Sequence, residues 1–258
     1  MNGITMSHSN KPTLQLLSSY CWLDKDHTRH AKISEKGLKS IDLEPIVLKQ
    51  VPPIKRRRLN GLSKMAMHTS LSCLETAGVS AQNTLTVFAS EHGELNRTIS
   101  IIEDIASSQE VSPKDFSLSV HNASLGLFSI FNKNTKPGTS IAAGSNTFGF
   151  ALLEAYNLLT RFPDKKVLLT CFDLKVEAPF DTLQKQTVPS YSLSVLLSLD
   201  TNQSQPGKAF SFGFRSTQIA PVMQAPLALA FYDFLHNEDE SSQLATDRHQ
   251  WVFTKHAL

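Results

Sequence analysis

The 258-residue sequence holds only three cysteines, Cys21, Cys73 and Cys171. They lie far apart with no metal-type spacing, so neither a disulfide framework nor a metal site is expected. Free thiols in a reducing cytosol are the expectation, and with them a cytoplasmic protein. No apolar run reaches the roughly 18 residues that a membrane span requires. The start, MNGITMSHSNKPT, lacks the apolar core of a signal peptide. A formal net charge of +2 gives no reason to expect a nucleic-acid partner. There is no internal repeat and no low-complexity segment. One absence is local: no histidine falls between His121 and His236, and no cysteine between Cys73 and Cys171. The middle of the chain therefore offers neither a thiolate nor an imidazole pair.

What is present is ordinary for a globular protein, 41% hydrophobic and 19% charged residues. The length allows a sizeable core, read as one domain over residues 1–258. Residues Phe116 to Thr160 organise the rest. An apolar run is followed by a polar Pro-Gly turn (Asn132 to Gly138) and the small-residue segment Ser140-Ile141-Ala142-Ala143-Gly144-Ser145. Then Phe148, Ala151, Leu152, Ala155, Leu158 and Leu159 recur at three- and four-residue spacing, one face of a helix over about 147–160. Asn146 or Thr147 is placed to cap its start. The pattern predicts a buried strand over about 139–144, a tight turn, and the most buried helix of the protein. In many α/β enzymes such a corner carries the nucleophile.

Around it, strands are expected over Leu14–Leu23, Thr84–Ser90, Val167–Phe172 and Tyr191–Leu199, forming a mixed or mainly parallel sheet. Ala209–Arg215 alternates aromatic and small residues and suits an edge strand. Helices are expected near Ile33–Leu38, from Leu59 to a cap at Gly78, and over Asn96–Ser107 with Ile99, Ile102 and Ile105 on a narrow face. Pro226–Leu235 is an apolar helix or strand; the tail beyond it is mixed. Val51-Pro52-Pro53 is a breaker.

Few side chains invite a chemical role. Lys55-Arg56-Arg57-Arg58 is either a solvated face or a dock for an acidic partner; as cations at a helix start they would oppose its dipole. His92 and Glu94 follow a strand's carboxyl end, where α/β sheets bind ligands, but they suit a surface cap of the following helix better. His121 and Asn122 suit a structural pair better than a catalytic base, since no nucleophile accompanies them. Cys171, in an apolar run, is packing.

The segments PPIKRRRLNGLSKMA, VFASEHGELNRT, SPKDFSLSVHNASLGLFSI and SIAAGSNTFGFALLEA, in this order, resemble the N-terminal half of a β-ketoacyl synthase. The nearest likeness is to the short synthase-like proteins of aryl polyene and polyketide pathways. The resemblance covers about residues 51–199; residues 1–50 and 200–258 stay unplaced. It implies a thiolase-like α/β fold of layered helices and sheet, truncated relative to a full synthase. An active relative would carry a cysteine in the turn before the central helix and two histidines from a second half. Here the turn of Ala142, Ala143, Gly144 and Ser145 has no cysteine, and the histidines are missing. The resemblance therefore implies no catalytic residues, no cofactor and no metal. It implies a chain-length factor that pairs with an active β-ketoacyl synthase and meets acyl carrier protein through that complex. Ser140, His121 and Asn122 would lie at the interface, and Phe128, Phe131, Phe148 and Phe150 would be candidates for the tunnel wall. Two alternatives stay open: a serine-dependent acyltransferase or hydrolase using Ser145, and a stand-alone acyl-binding scaffold.

Overall fold

The computed structural model describes residues 11–183, 188–199, 208–217 and 225–256. Most of the expected polar leader (residues 1–13) and part of the expected polar connection (Asp181 to Pro189) lie outside these residues.

In chain order the elements are β1 (Thr13–Leu23), α1 (Thr28–Ala31), α2 (Glu35–Leu38), α3 (Pro53–Arg56), α4 (Gly61–Thr76), β2 (Leu85–Ala89), α5 (Leu95–Ala106), α6 (Pro113–Ser117), α7 (Ala123–Asn132), β3 (Gly138–Ile141), α8 (Thr147–Arg161), β4 (Val167–Asp173), β5 (Tyr191–Ser198), β6 (Lys208–Ser216), α9 (Leu227–His236), β7 (Ser241–Ala245) and β8 (His249–His256). The strands form one sheet in the order β3-β2-β4-β5-β1-β6-β8-β7. β2 pairs in parallel with β3 and β4; all other pairings are antiparallel. The sheet is therefore mixed.

Helices cover both faces, which is why β4 reads as a continuous apolar run. Val167, Leu169 and Cys171 point into one core with α8 and α9, and Leu168 and Phe172 into the other with α4 and α7. β1 serves the first core with Leu14 and Leu16 and again with Cys21 and Leu23. That change of parity needs an irregular register, and one lies between Leu16 and Ser18. Beneath α4 the second core is laced with hydroxyls. Thr69 bonds Ser192 (2.7 Å), Ser70 bonds Thr170 (2.8 Å) and Thr170 bonds Ser194 (2.9 Å), so these buried oxygens keep partners.

α4 starts on Asn60, whose side chain accepts from the Ser63 N–H at 2.8 Å, and ends before Gly78 at φ +64°, the left-handed stop its glycine predicts. Phe148, Leu152 and Ala155 on α8 are buried, as their periodicity requires.

Several expectations fail for identifiable reasons. The segment at 139–144 is a shorter strand with half-exposed residues, because β3 ends the sheet and has one neighbour. The most buried helix is α9, with seven buried residues of ten against seven of fifteen in α8. Ala209–Arg215 is no edge: β6 sits between β1 and β8. Its first half, Ala209 to Phe212, is buried on both faces, as a strand with two neighbours can be. On α5 the inward residues are Ile99 and Ile101, while Ile102 and Ile105 are exposed, because α5 packs on α6 rather than on the sheet. The basic run belongs to the end of the short α3 and the link after it, so the expected clash with the α4 dipole does not arise.

Candidate functional site

The corner between β3 and α8 is built from small residues. Gly144 takes φ +57°, which lets the chain reverse without a Cβ clash. Ala142 and Gly144 are exposed, and Ala143 and Ser145 half-buried. Thr147 closes the turn from inside: its Oγ1 accepts from the Ala143 N–H (2.9 Å) and donates to the Gly144 carbonyl (2.7 Å). Asn146 precedes α8 but does not cap it with its side chain. Its Oδ1 instead accepts from Thr246 Oγ1 (2.6 Å) and Trp251 Nε1 (2.9 Å). The C-terminal hairpin β7–β8 thus grips the start of α8. Trp251 lies so close to Gly149 that a Cβ there would clash with its ring. Ser145 Oγ accepts from the Asp247 N–H at 3.3 Å. A backbone amide removes no proton, so this contact does nothing to activate the hydroxyl.

Beside the turn, the ends of β2 and β4 meet at Asp173. Its carboxylate accepts from Ser90 Oγ (2.7 Å) and from the N–H groups of His92 (3.0 Å) and Glu91 (3.1 Å). Burial pushes this carboxyl above its ordinary range, and the donors oppose that shift. Burial also raises Glu91. Ser90 ties the pieces together: its N–H donates to the Ile141 carbonyl (3.1 Å), and its own carbonyl accepts from His121 Nε2 (2.8 Å). His121 therefore bonds the β2 end rather than Asn122, and its ring packs on Gly93. Asn122 is exposed at the start of α7.

Glu94 is not a surface cap. It is 5% exposed, and its Oε2 accepts from Asn60 Nδ2 (2.6 Å) and Arg97 Nε (3.0 Å), while Arg97 also pairs with Asp115. Burial raises its carboxyl, and Arg97 opposes the shift. The spacing of Glu94 and Arg97 was a legible signal; Asn60, 34 residues away, was not.

The four phenylalanines fall in different places. Phe128 is fully buried against Phe88, and Phe148 is buried against Phe231. Phe150 is half-buried among Phe214, His249 and Trp251. Phe131 is half-buried with the Lys55 ammonium over its ring. Ser140 lies on β3, and its buried Oγ has no hydrogen-bond partner among the described residues. Cys171 is fully buried, with its thiol pushed far up by burial, so packing is its role. No group of three or more His, Cys, Asp or Glu side chains is placed to hold a metal among the described residues. No described helix is long and apolar enough to cross a membrane.

A parallel strand pair that feeds a tight small-residue turn into a buried helix, within a helix-covered sheet, makes this a mixed α/β fold. The chain belongs to the β-ketoacyl synthase family, whose N-terminal domain matches residues 29–254. The match thus takes in the C-terminal strands that the sequence left unplaced. Among solved structures, it resembles a chain of the ketosynthase in complex with its chain length factor from Xenorhabdus doucetiae. That likeness has 24% identity and a TM-score of 0.72, over 94% of this chain and 99% of that one. It also resembles the ishigamide ketosynthase/chain length factor (16% identity, TM-score 0.62, 79% of this chain and 67% of that one). A third likeness is to a β-ketoacyl synthase from Burkholderia phymatum STM815 (13%, 0.56, 86% and 69%). No curated protein matches in sequence.

Proposed function

We propose that this chain is a non-catalytic ketosynthase-like subunit, a chain-length factor for aryl polyene or polyketide synthesis in the cytoplasm. It pairs through β3 with an active β-ketoacyl synthase and shapes part of that enzyme's acyl tunnel. One observation carries the reading: the turn after the terminal strand β3, Ile141 to Ser145, contains no thiol. The small side chains of Ser140, Ala142 and Ala143 let a partner strand approach closely. Phe116 and Val120, 66% and 51% exposed, are apolar surface preceding β3 in the chain that a partner can cover.

Acyl carrier protein meets this chain through the complex. Arg57, Arg58 and Lys64 form no ion pair among the described residues and suit an acidic partner. For the tunnel wall we favour Phe131 and Phe150, which are half-buried, over Phe128 and Phe148, which fill this chain's own core.

Purification with a candidate ketosynthase carrying Cys, His and His tests the proposal. The expected result is one-to-one co-elution with a gain of condensing activity that neither chain has alone. Steady turnover of acyl carrier protein substrates by this chain alone, lost in Ser145→Ala, would refute it and favour serine chemistry.

A further inference from the structure

Three strongly exposed aliphatic side chains meet around the short helix α3. Ile54 on α3 is 72% exposed, Ile130 on α7 70%, and Val47 on the link before α3 53%. Two bonds bring their carriers together. Lys55 Nζ donates to the Phe131 carbonyl (3.1 Å), with its ammonium over the Phe131 ring. Arg56 Nη1 donates to the Val47 carbonyl (2.9 Å). α3 is thus fastened to the end of α7 on one side and to the link carrying Val47 on the other. The tips stand in water, where apolar surface gains by being covered.

The charge around these tips is of one sign. Residues 45–74 and 116–153 hold no aspartate or glutamate. Arg57 and Arg58 line a cleft with Asp104, Asp115 and Glu177, so their charge is shared there. Lys49, Lys55, Arg56, Lys64 and Lys133 remain, none in an ion pair among the described residues. The flanking carboxylates are Glu44, which is exposed, and Glu75, which accepts from Gln50 Nε2 (3.2 Å). Arg56 and Lys64 also line a groove of about 340 Å³ with Val47 and Pro53, and no described carboxylate lines it. Lys55 and Arg56 are half-buried and fixed to backbone carbonyls, while Ile54 between Pro53 and Lys55 stands clear. Aliphatic tips standing clear of a bed of cations fit a surface that is anionic outside and apolar within.

We infer that this face is a contact surface for a membrane of anionic phospholipid, which goes beyond the function proposed above. Ile54, Ile130 and Val47 enter the boundary between headgroups and acyl chains, and the cations around them hold lipid phosphates. Co-sedimentation of the purified full chain with vesicles tests it. One set is phosphatidylcholine alone, and the other is equal parts phosphatidylglycerol and phosphatidylcholine. Binding to the anionic vesicles is expected, at least about tenfold stronger than to the neutral ones and weakened by high salt. Ile54→Ser should weaken binding about tenfold and leave the unfolding midpoint unchanged, since this side chain leaves water on the vesicle and not in the folded chain. Lys64→Ala, at an exposed position of α4, should weaken it about fivefold. The inference is overturned if anionic vesicles do not bind the chain, or if neutral vesicles bind it equally. It is also overturned if Ile54→Ser binds as the wild type does, because a face that works by charge alone is what an acidic protein would use.

Discussion

The sheet stops at both ends on a short, half-exposed strand, β3 or β7, but the two ends differ in what lies behind that strand. At one end β3 presents a short strand with half-exposed residues and a single neighbour. At the other, β6, β8 and β7 extend the sheet and bury Phe210, Phe212, Trp251 and Phe253 against α8 and α9. The rings interlock: Phe231 of α9 meets Phe148 at 5.0 Å, Phe253 at 4.9 Å and Phe210 at 5.2 Å. The chain thus covers the inner face of its central helix with its own C-terminal strands and leaves β3 open. Loss of stability should follow damage at the aromatic end, and loss of assembly should follow damage at the β3 end.

The largest effect is expected from Trp251→Ala. The ring is fully buried, fills the space over Gly149 and donates to Asn146. Its removal leaves a cavity and a buried amide oxygen short of a donor. Together these should cost about 3–5 kcal/mol in urea unfolding. A loss under about 1 kcal/mol would mean that the hairpin does not hold α8, and the contrast between the two ends would collapse.

Next comes Ala142→Glu. Ala142 is exposed beside the end of β3, so a carboxylate there has water in the free chain but not against a partner strand. Co-elution with the ketosynthase should be lost, while the unfolding midpoint of the free chain stays within about 0.5 kcal/mol of wild type. If assembly persists with unchanged affinity, the partner does not bind at this edge.

How much of this was legible depends on how local each signal is. α8 and β4 could be read because burial on one face or on two is written in the spacing of their own residues. β6 was misplaced as an edge because alternation describes a strand's faces and is silent about its lateral neighbours. β8, HQWVFTKH, carries the same alternation in Trp251 and Phe253, but shorter runs and charged flanks hid it in the tail. The open turn was visible as small residues without a thiol. What fixes it was not: Asn146 reads as a helix cap, yet its partners Thr246 and Trp251 come from a hairpin about a hundred residues away. Asp173 reads as the end of a strand, and only the fold brings Ser90 and two amides to it.

That carboxylate gives a smaller, pH-dependent effect. Burial raises the folded-state pKa of both Asp173 and Glu91. A raised carboxyl contributes stability below its unfolded pKa that is lost as pH rises through the folded value. Acidification from about pH 7 towards about pH 4 should therefore stabilise the protein, by about 1.4 kcal/mol for each tenfold by which folding tightens proton binding. Asp42 works the other way in a lower window. Burial alone would raise it, but bonds from His68, the Glu44 N–H and Tyr20 hold it below its ordinary value, so its contribution is lost as pH falls through that folded value. Urea midpoints across this range should slope less in Asp173→Asn. An equal slope would place the titration elsewhere.

The smallest effect is expected at Ser145, the one hydroxyl in the turn. Its Oγ receives a neutral, long hydrogen bond from the Asp247 amide at 3.3 Å and is half in solvent. Such a bond contributes at the low end of the usual range, and water can replace it, so Ser145→Ala should change stability by less than about 0.5 kcal/mol. It should leave the activity of the assembled pair unchanged, because the proposed function assigns the nucleophile to the partner. The bond also bears on the contrast between the two ends, since Asp247 lies in the aromatic-anchored hairpin and Ser145 in the turn beside the open edge. If the two ends depend on each other through this contact, Ser145→Ala will weaken assembly while sparing the fold. If they are independent, assembly, stability and turnover will all match wild type. A fall in turnover of more than about tenfold with the pair still assembled would instead mark Ser145 as a participant in the chemistry.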